Sequence, residues 1–308
     1  MASSADGSRL VAVASGGSIL VSFDSGATWS NRTPSGATLD RAVAAISRDG
    51  TYITVGYRGG MPSSNGAVYL SSDLGQSWIE RSSAGAQMWQ AIAISGNGAV
   101  IVAGGAEASS GGGYRSASLY VSQDYGATWT EALGYSRMWD NVAISDDGSK
   151  MYATAQGRGN TVYSSYDAGA AWSEQLVSNS AGNGSVAVSA DGVRVIVASQ
   201  GEFIYASMDS GATWQQQDAA GARIWGALDV SSDGQRVAAG GRYTNIYVAG
   251  PEGPATATQP LADLAPAAMK SDPISAPLAT ATLSVTSSTC YTLDTPSVSV
   301  VYIVTPPS

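Results

Sequence analysis

The chain has 308 residues, of which 44% are hydrophobic, 13% are charged and 37 are glycine, a balance that suits many short strands joined by tight turns and excludes a disordered chain. A formal net charge of −9 excludes a general binder of nucleic acid or anionic membrane, since neutralising phosphates takes a basic surface. With no histidine and one cysteine, Cys290, the chain has no Ser-His-Asp or Cys-His machinery, no His-ligated metal, no internal disulfide and no Cys-rich zinc site.

Taken in chain order, the elements repeat. An Asp-Gly turn at Asp6-Gly7 is followed by an apolar alternating stretch, RLVAVAS, and then by the segment Ser22–Trp29, SFDSGATW. The same turn returns at Asp49-Gly50, Asn97-Gly98, Asp147-Gly148, Asp191-Gly192 and Asp233-Gly234, each preceded by a stretch such as AVAAIS or NVAIS and followed by one such as TYITVGY or RVIVASQ. Asp-Gly between alternating strands is a strong hairpin signal, because the tight turn needs positive φ. The second segment returns as Ser71–Trp78, Ser122–Trp129, Ser165–Trp172 and Ser207–Trp214, with the pattern Ser-x-Asp-x-Gly-x-x-Trp. Its aspartates, Asp24, Asp73, Asp124, Asp167 and Asp209, are spaced by 49, 51, 43 and 42 residues.

One unit therefore reads strand A, Asp-Gly turn, strand B, variable loop, strand C, Ser-x-Asp turn, strand D. A period of that length with four short strands predicts an all-β fold, a β-propeller of four-stranded antiparallel blades. Counting Asp-Gly turns predicts six blades, or seven if the C-terminal segment forms one. The chain is expected to lack strand A of its first blade and strand D of its last. All eight tryptophans fit this register. Trp29, Trp78, Trp129, Trp172 and Trp214 close the second turns and are expected to plug between blades, while Trp89, Trp139 and Trp225 open strand A. The aspartates of the second turn are expected to accept bonds from backbone N–H groups, a structural role.

The propeller is expected over 1–250. Residues 251–308 change to a Pro-, Ala-, Ser- and Thr-rich linker followed by two alternating stretches, ATATLSV (279–285) and SVSVVYIV (297–304), one of which is expected to return and close the ring. No apolar run approaches the ~20 residues that span a bilayer, and residues 1–7 do not read as a signal peptide.

These motifs resemble the BNR/Asp-box repeat superfamily of propellers, which includes sialidases, xyloglucan-degrading glycoside hydrolases, sortilin-type receptors and photosystem II assembly factors. The resemblance covers about residues 4–250 and implies fold more than function. It does not carry over the sialidase site: Arg-Ile-Pro is absent, the first repeat offers only Arg9 and Arg32, and the six Glu show no paired pattern. The photosystem factors have an Arg patch on seven blades; here the Arg residues are scattered.

Variable loops on a rigid scaffold are where binding resides. The B–C and D–A loops vary, and they hold Arg58, Tyr114, Arg115, Arg158 and Arg242, with Arg137, Arg223, Trp89, Trp139 and Trp225 near the D–A junctions. Thirteen of the fifteen basic residues are Arg, and Arg grips planar anions while Trp and Tyr stack on sugar rings. These ten residues are the candidate ligand face, with core packing of the three tryptophans as the competing reading. The expected function is a non-catalytic binding or structural propeller outside the cell or on its surface, with a glycan or protein partner and no cofactor. Two sequons, at Asn31 and Asn183, point to the same location. The alternatives are a sialidase-like glycoside hydrolase with a non-standard acidic pair and an intracellular assembly scaffold.

Overall fold

A computed structural model describes residues 1–14, 16–34, 42–57, 66–81, 83, 87–108, 114–133, 136–156, 160–178, 184–241 and 246–250. Apart from a 3-10 turn at Asp218–Ala220, their regular structure is β. The strands fall into six consecutive groups. The first is β1 (Ala2–Ser3), β2 (Leu10–Val13), β3 (Ile19–Ser22) and β4 (Ser30–Asn31); the second is β5 (Val43–Ile46), β6 (Ile53–Gly56), β7 (Val68–Ser71) and β8 (Ile79–Glu80). The third is β9 (Met88–Ile94), β10 (Ile101–Ala108), β11 (Tyr114–Ser122) and β12 (Thr130–Glu131); the fourth is β13 (Trp139–Ile144), β14 (Met151–Ala155), β15 (Asn160–Ser165) and β16 (Ser173–Ser178). The fifth is β17 (Gly184–Val188), β18 (Val195–Glu202), β19 (Ile204–Ser207) and β20 (Gln215–Gln217); the sixth is β21 (Arg223–Val230), β22 (Val237–Gly241) and β23 (Ile246–Ala249). Within every group each strand pairs antiparallel with the next, and the fifth and sixth groups are further joined where β18 meets β21.

Strand A of the first group is therefore present, contrary to the expectation from sequence. It is the two-residue β1, whose Ala2 and Ser3 pair with Val11 and Leu10. No apolar run precedes it, so the sequence pattern carried no sign of it. The C-terminal segment 251–308 lies outside the described residues.

Both turn types form as their chemistry dictates. In Asp-x-Gly, the middle residues Ser25, Leu74, Tyr125, Ala168 and Ser210 and the glycines after them all have positive φ, the signature of a type I′ hairpin turn. The first strands of successive groups lie side by side in the order β1, β5, β9, β13, β17, β21. The hydrophobic clusters sit between groups. Val68 and Leu70 of the second pack with Trp89, Ile92 and Ile94 of the third, and Ala93 and Leu119 of the third pack with Trp139, Val142 and Ile144 of the fourth. Trp78, Trp129, Trp172 and Trp214, half-buried, each join the cluster between their own group and the preceding one. Sheets arranged around an axis and packed face to face in chain order make a β-propeller.

The Asp-Gly turns are bonded into an arc around that axis. The amide of Ala5 donates to Arg48 O (2.8 Å), Arg48 to Gly96 (3.1 Å), Gly96 to Asp146 (2.8 Å), Asp146 to Ala190 (2.8 Å) and Ala190 to Ser232 (3.0 Å). An ion pair between Arg48 and Asp146 spans from the second group to the fourth on this turn face.

Candidate functional site

The turn face spends its carboxylates on structure. In the first Ser-x-Asp turn, Ser22 Oγ donates to Asp24 Oδ1 (2.8 Å), and the amide and hydroxyl of Thr28 donate to the two carboxylate oxygens (2.8 and 2.6 Å). Asp73, Asp124 and Asp209 repeat this arrangement. The hydroxyls of Ser77, Thr128 and Thr213, with the amides of the same residues, hold those three carboxyls at about 2. Asp167 keeps the amide bond from Ala171 (2.9 Å) but has no hydroxyl at that position. These carboxylates lie at or near the surface rather than in the core, so water competes for their bonds. In the Asp-Gly turns, Asp6, Asp49, Asp147, Asp191 and Asp233 accept from Ser4, Ser47, Ser145, Ser189 and Ser231 at 2.5–2.7 Å. Ten aspartates are thus tied into their own turns.

The opposite face carries the variable loops, and there the structure sorts the candidate residues. Trp89, Trp139 and Trp225 are buried, with exposures of 0%, 0% and 1%. They are core residues here and offer no ring face to a ligand. Each meets a tyrosine from strand C of its own group edge-on: Trp89 with Tyr120 (5.8 Å between centroids), Trp139 with Tyr163 (5.1 Å) and Trp225 with Tyr247 (5.3 Å). The residue two before each tryptophan reaches the same tyrosine. Gln87 Nε2 donates to Tyr120 OH (3.3 Å), Arg137 Nε donates to Tyr163 OH (3.3 Å), and the Arg223 guanidinium lies 4.6 Å from the Tyr247 ring centre.

The Arg137 and Arg223 side chains are partly exposed at the start of strand A, the loop-face end. Arg223 is further fixed by a bond from Nε to Ala220 O (3.0 Å). The tyrosines were not among the candidates, although a repeated signal marks them: Tyr69, Tyr120, Tyr163 and Tyr205 each stand four residues before a turn aspartate.

Arg58, Arg158, Arg242 and Asn183 lie outside the described residues. Tyr114 and Arg115 stand on β11, where Arg115 pairs with Glu107 in register. Asn31 is exposed and accepts from the amide and hydroxyl of Thr33 (3.0 and 2.6 Å). A groove of about 630 Å³ opens on the rim between the first two groups, lined by Asn31, Arg32, Tyr69, Trp78 and Glu80 among others. Among the described residues no group of three or more His, Cys, Asp or Glu is placed to hold a metal ion, and no helix is long and apolar enough to cross a membrane.

No protein-family model matches the chain, and no curated protein matches it in sequence. Solved structures do match in fold. A GH74 xyloglucanase from Xanthomonas campestris aligns at 18% identity with a TM-score of 0.57, over 78% of this chain and 42% of that one. YCF48, solved bound to D1 peptide, aligns at 17% identity with a TM-score of 0.56, over 82% of this chain and 78% of that one. The chain thus spans less than half the length of the xyloglucanase. Both neighbours support the β-propeller fold. One is a hydrolase and the other was solved with a peptide, so the fold is compatible with either activity.

Proposed function

We propose that this chain is a non-catalytic binding propeller of the Asp-box type whose loop face holds an anionic group of a protein or glycan partner. One observation carries this reading: Arg137 and Arg223 stand at equivalent places on that face, and tyrosines of their own sheets hold both guanidinium groups. Arg223 lies over the Tyr247 ring and Arg137 is held by the Tyr163 hydroxyl, and a guanidinium so fixed loses little freedom on meeting a carboxylate or sulfate. The YCF48 structure, solved with a peptide, supports a protein partner. Against hydrolysis stands the use of ten aspartates within their own turns, since glycosidases need two free carboxyls facing one substrate bond. An outside location remains part of the proposal and rests on the sequon at Asn31.

The test is binding of the purified chain to a panel of sialylated, sulfated and uronate glycans and of peptides ending in a free carboxylate, with Arg223→Gln and Arg137→Gln as variants. Binding that weakens at least tenfold in each variant, with no turnover of any glycan, is the expected result. Turnover of a glycan, or binding indifferent to both substitutions, would overturn it.

A further inference from the structure

The six strand groups are built to one plan, so each face of the sixth has five precedents. The residue three before the Ser of the Ser-x-Asp turn always faces the following group. Ile19, Val68, Leu119, Val162 and Ile204 hold this place and are 0–2% exposed. Ile246, in the same place on β23, is 37% exposed.

On strand A the residue two before the Asp-Gly turn's Ser also faces the following group. It is Ala2, Ala45, Ala93, Ala143 or Ala187, all buried, in the first five groups. In the sixth it is Asp229, partly exposed on β21. The other residue turned the same way near the start of β21, Ile224, is 43% exposed.

Strand B tells the same story. A Cβ added to Gly56 would stand 2.9 Å from Trp89 Cβ, and one added to Gly104 would stand 2.7 Å from Trp139 Cβ. Those glycines admit the tryptophan of the next group, as the small Ala198 does for Trp225. Where the next group has no such tryptophan, the place is taken by Val13 or Thr154. Gly240 has the admitting residue and nothing within 4 Å of the position its Cβ would take. The sixth group therefore presents a formed inter-sheet socket that no described residue fills.

The first group, whose strand A is β1, stands across the seam.

We infer that residues 279–304 of this same chain occupy this seam and complete the ring between the sixth and first groups. The chain continues for 58 residues beyond Gly250. The 28 residues from 251 to 278 can span roughly 90 Å when extended, enough to reach any point of the seam. Outer strands in this fold are polar and exposed, as in SN, IE, TE and QQQ. Strands between sheets are apolar on both faces, as in β9 and β17. SVSVVYIV (297–304) has the second composition, which suits a strand enclosed by sheets and is an aggregation hazard if left in water.

A double-mutant cycle on the full chain tests this. Val300→Asp with Tyr302→Asp places charge on one face of the tail stretch, and Ile246→Ser removes the apolar side of the socket. If the tail fills the seam, each change lowers the melting temperature, and the combination lowers it by clearly less than the sum. Cys290, the only thiol, would then react with a maleimide at least tenfold more slowly in the folded chain than in denaturant. Tail substitutions that leave melting unchanged, with Cys290 labelled equally fast in both states, overturn the inference. So do two destabilising changes that simply add.

Discussion

Asp73 and Asp229 carry the same group and are driven in opposite directions. Three bonds from its own turn hold the Asp73 carboxyl at about 2. Asp229 has one backbone bond, from the amide of Val230 (2.8 Å), and burial pushes its carboxyl well above the usual range. The consequences for stability follow from linkage. Between pH ~4 and ~2 the unfolded chain binds more protons at Asp73, Asp124 and Asp209 than the folded chain does. Their contribution is complete above ~4 and is lost as pH falls through the folded value. For Asp229 the folded chain binds the extra proton, so stability falls as pH rises from ~4 towards the raised folded value. Replacing it by the alanine of the other five groups is expected to raise stability at pH 7 by up to ~1 kcal/mol, because a half-buried carboxylate with a single amide partner is removed. At pH 3, below both values, the gain should vanish. Thermal melts of the wild type and Asp229→Ala across pH 3–8 check this.

At the scale of the element, the two sets of tryptophans divide the work. Trp139 is fully buried, donates from Nε1 to Ala117 O (2.9 Å) and has Gly104 of the preceding group making room for it. Trp172 is half-buried and bonds Gly169 O within its own turn (3.0 Å). Trp139→Ala should therefore cost ~3–5 kcal/mol, and Trp172→Ala distinctly less, in urea unfolding at equal m-value. Gly104→Leu should match the first, since its side chain would collide with Trp139.

Sequence periodicity placed all eight tryptophans in register. It could not say which face of strand A meets another sheet, and that is why Trp89, Trp139 and Trp225 entered the candidate ligand face. Burial of an inner-strand residue is decided by the group next door, some 40 residues away. Tyr163, which holds Arg137, was legible as a fixed spacing before a turn aspartate, but its partner was not, and Tyr247, beside Arg223, precedes no such aspartate.

For the whole molecule, five backbone bonds link six Asp-Gly turns, and hydrophobic clusters lie at all five junctions between successive groups. The one junction without either among the described residues is the seam. Local opening follows the distribution of buried contacts, so in a chain cut after Gly250, which leaves the seam uncovered, amide exchange should be fastest in β1, β2, β22 and β23. It should be slowest in β9, β10, β13 and β14. Hydrogen exchange resolved by peptide would check this gradient, and uniform protection around the ring would contradict it.

What the sequence determined by itself was everything enforced within a few residues. Asp-Gly and Ser-x-Asp-x-Gly turns are fixed by short-range hydrogen bonds and positive φ, and their spacing sets the number and order of strands. Tertiary structure alone decided which tryptophans are buried, that tyrosines hold both Arg137 and Arg223, and that among the described residues nothing covers the outer face of the sixth group. Those properties depend on how sheets distant in sequence pack, and no local pattern encodes which side of a strand its neighbour will take.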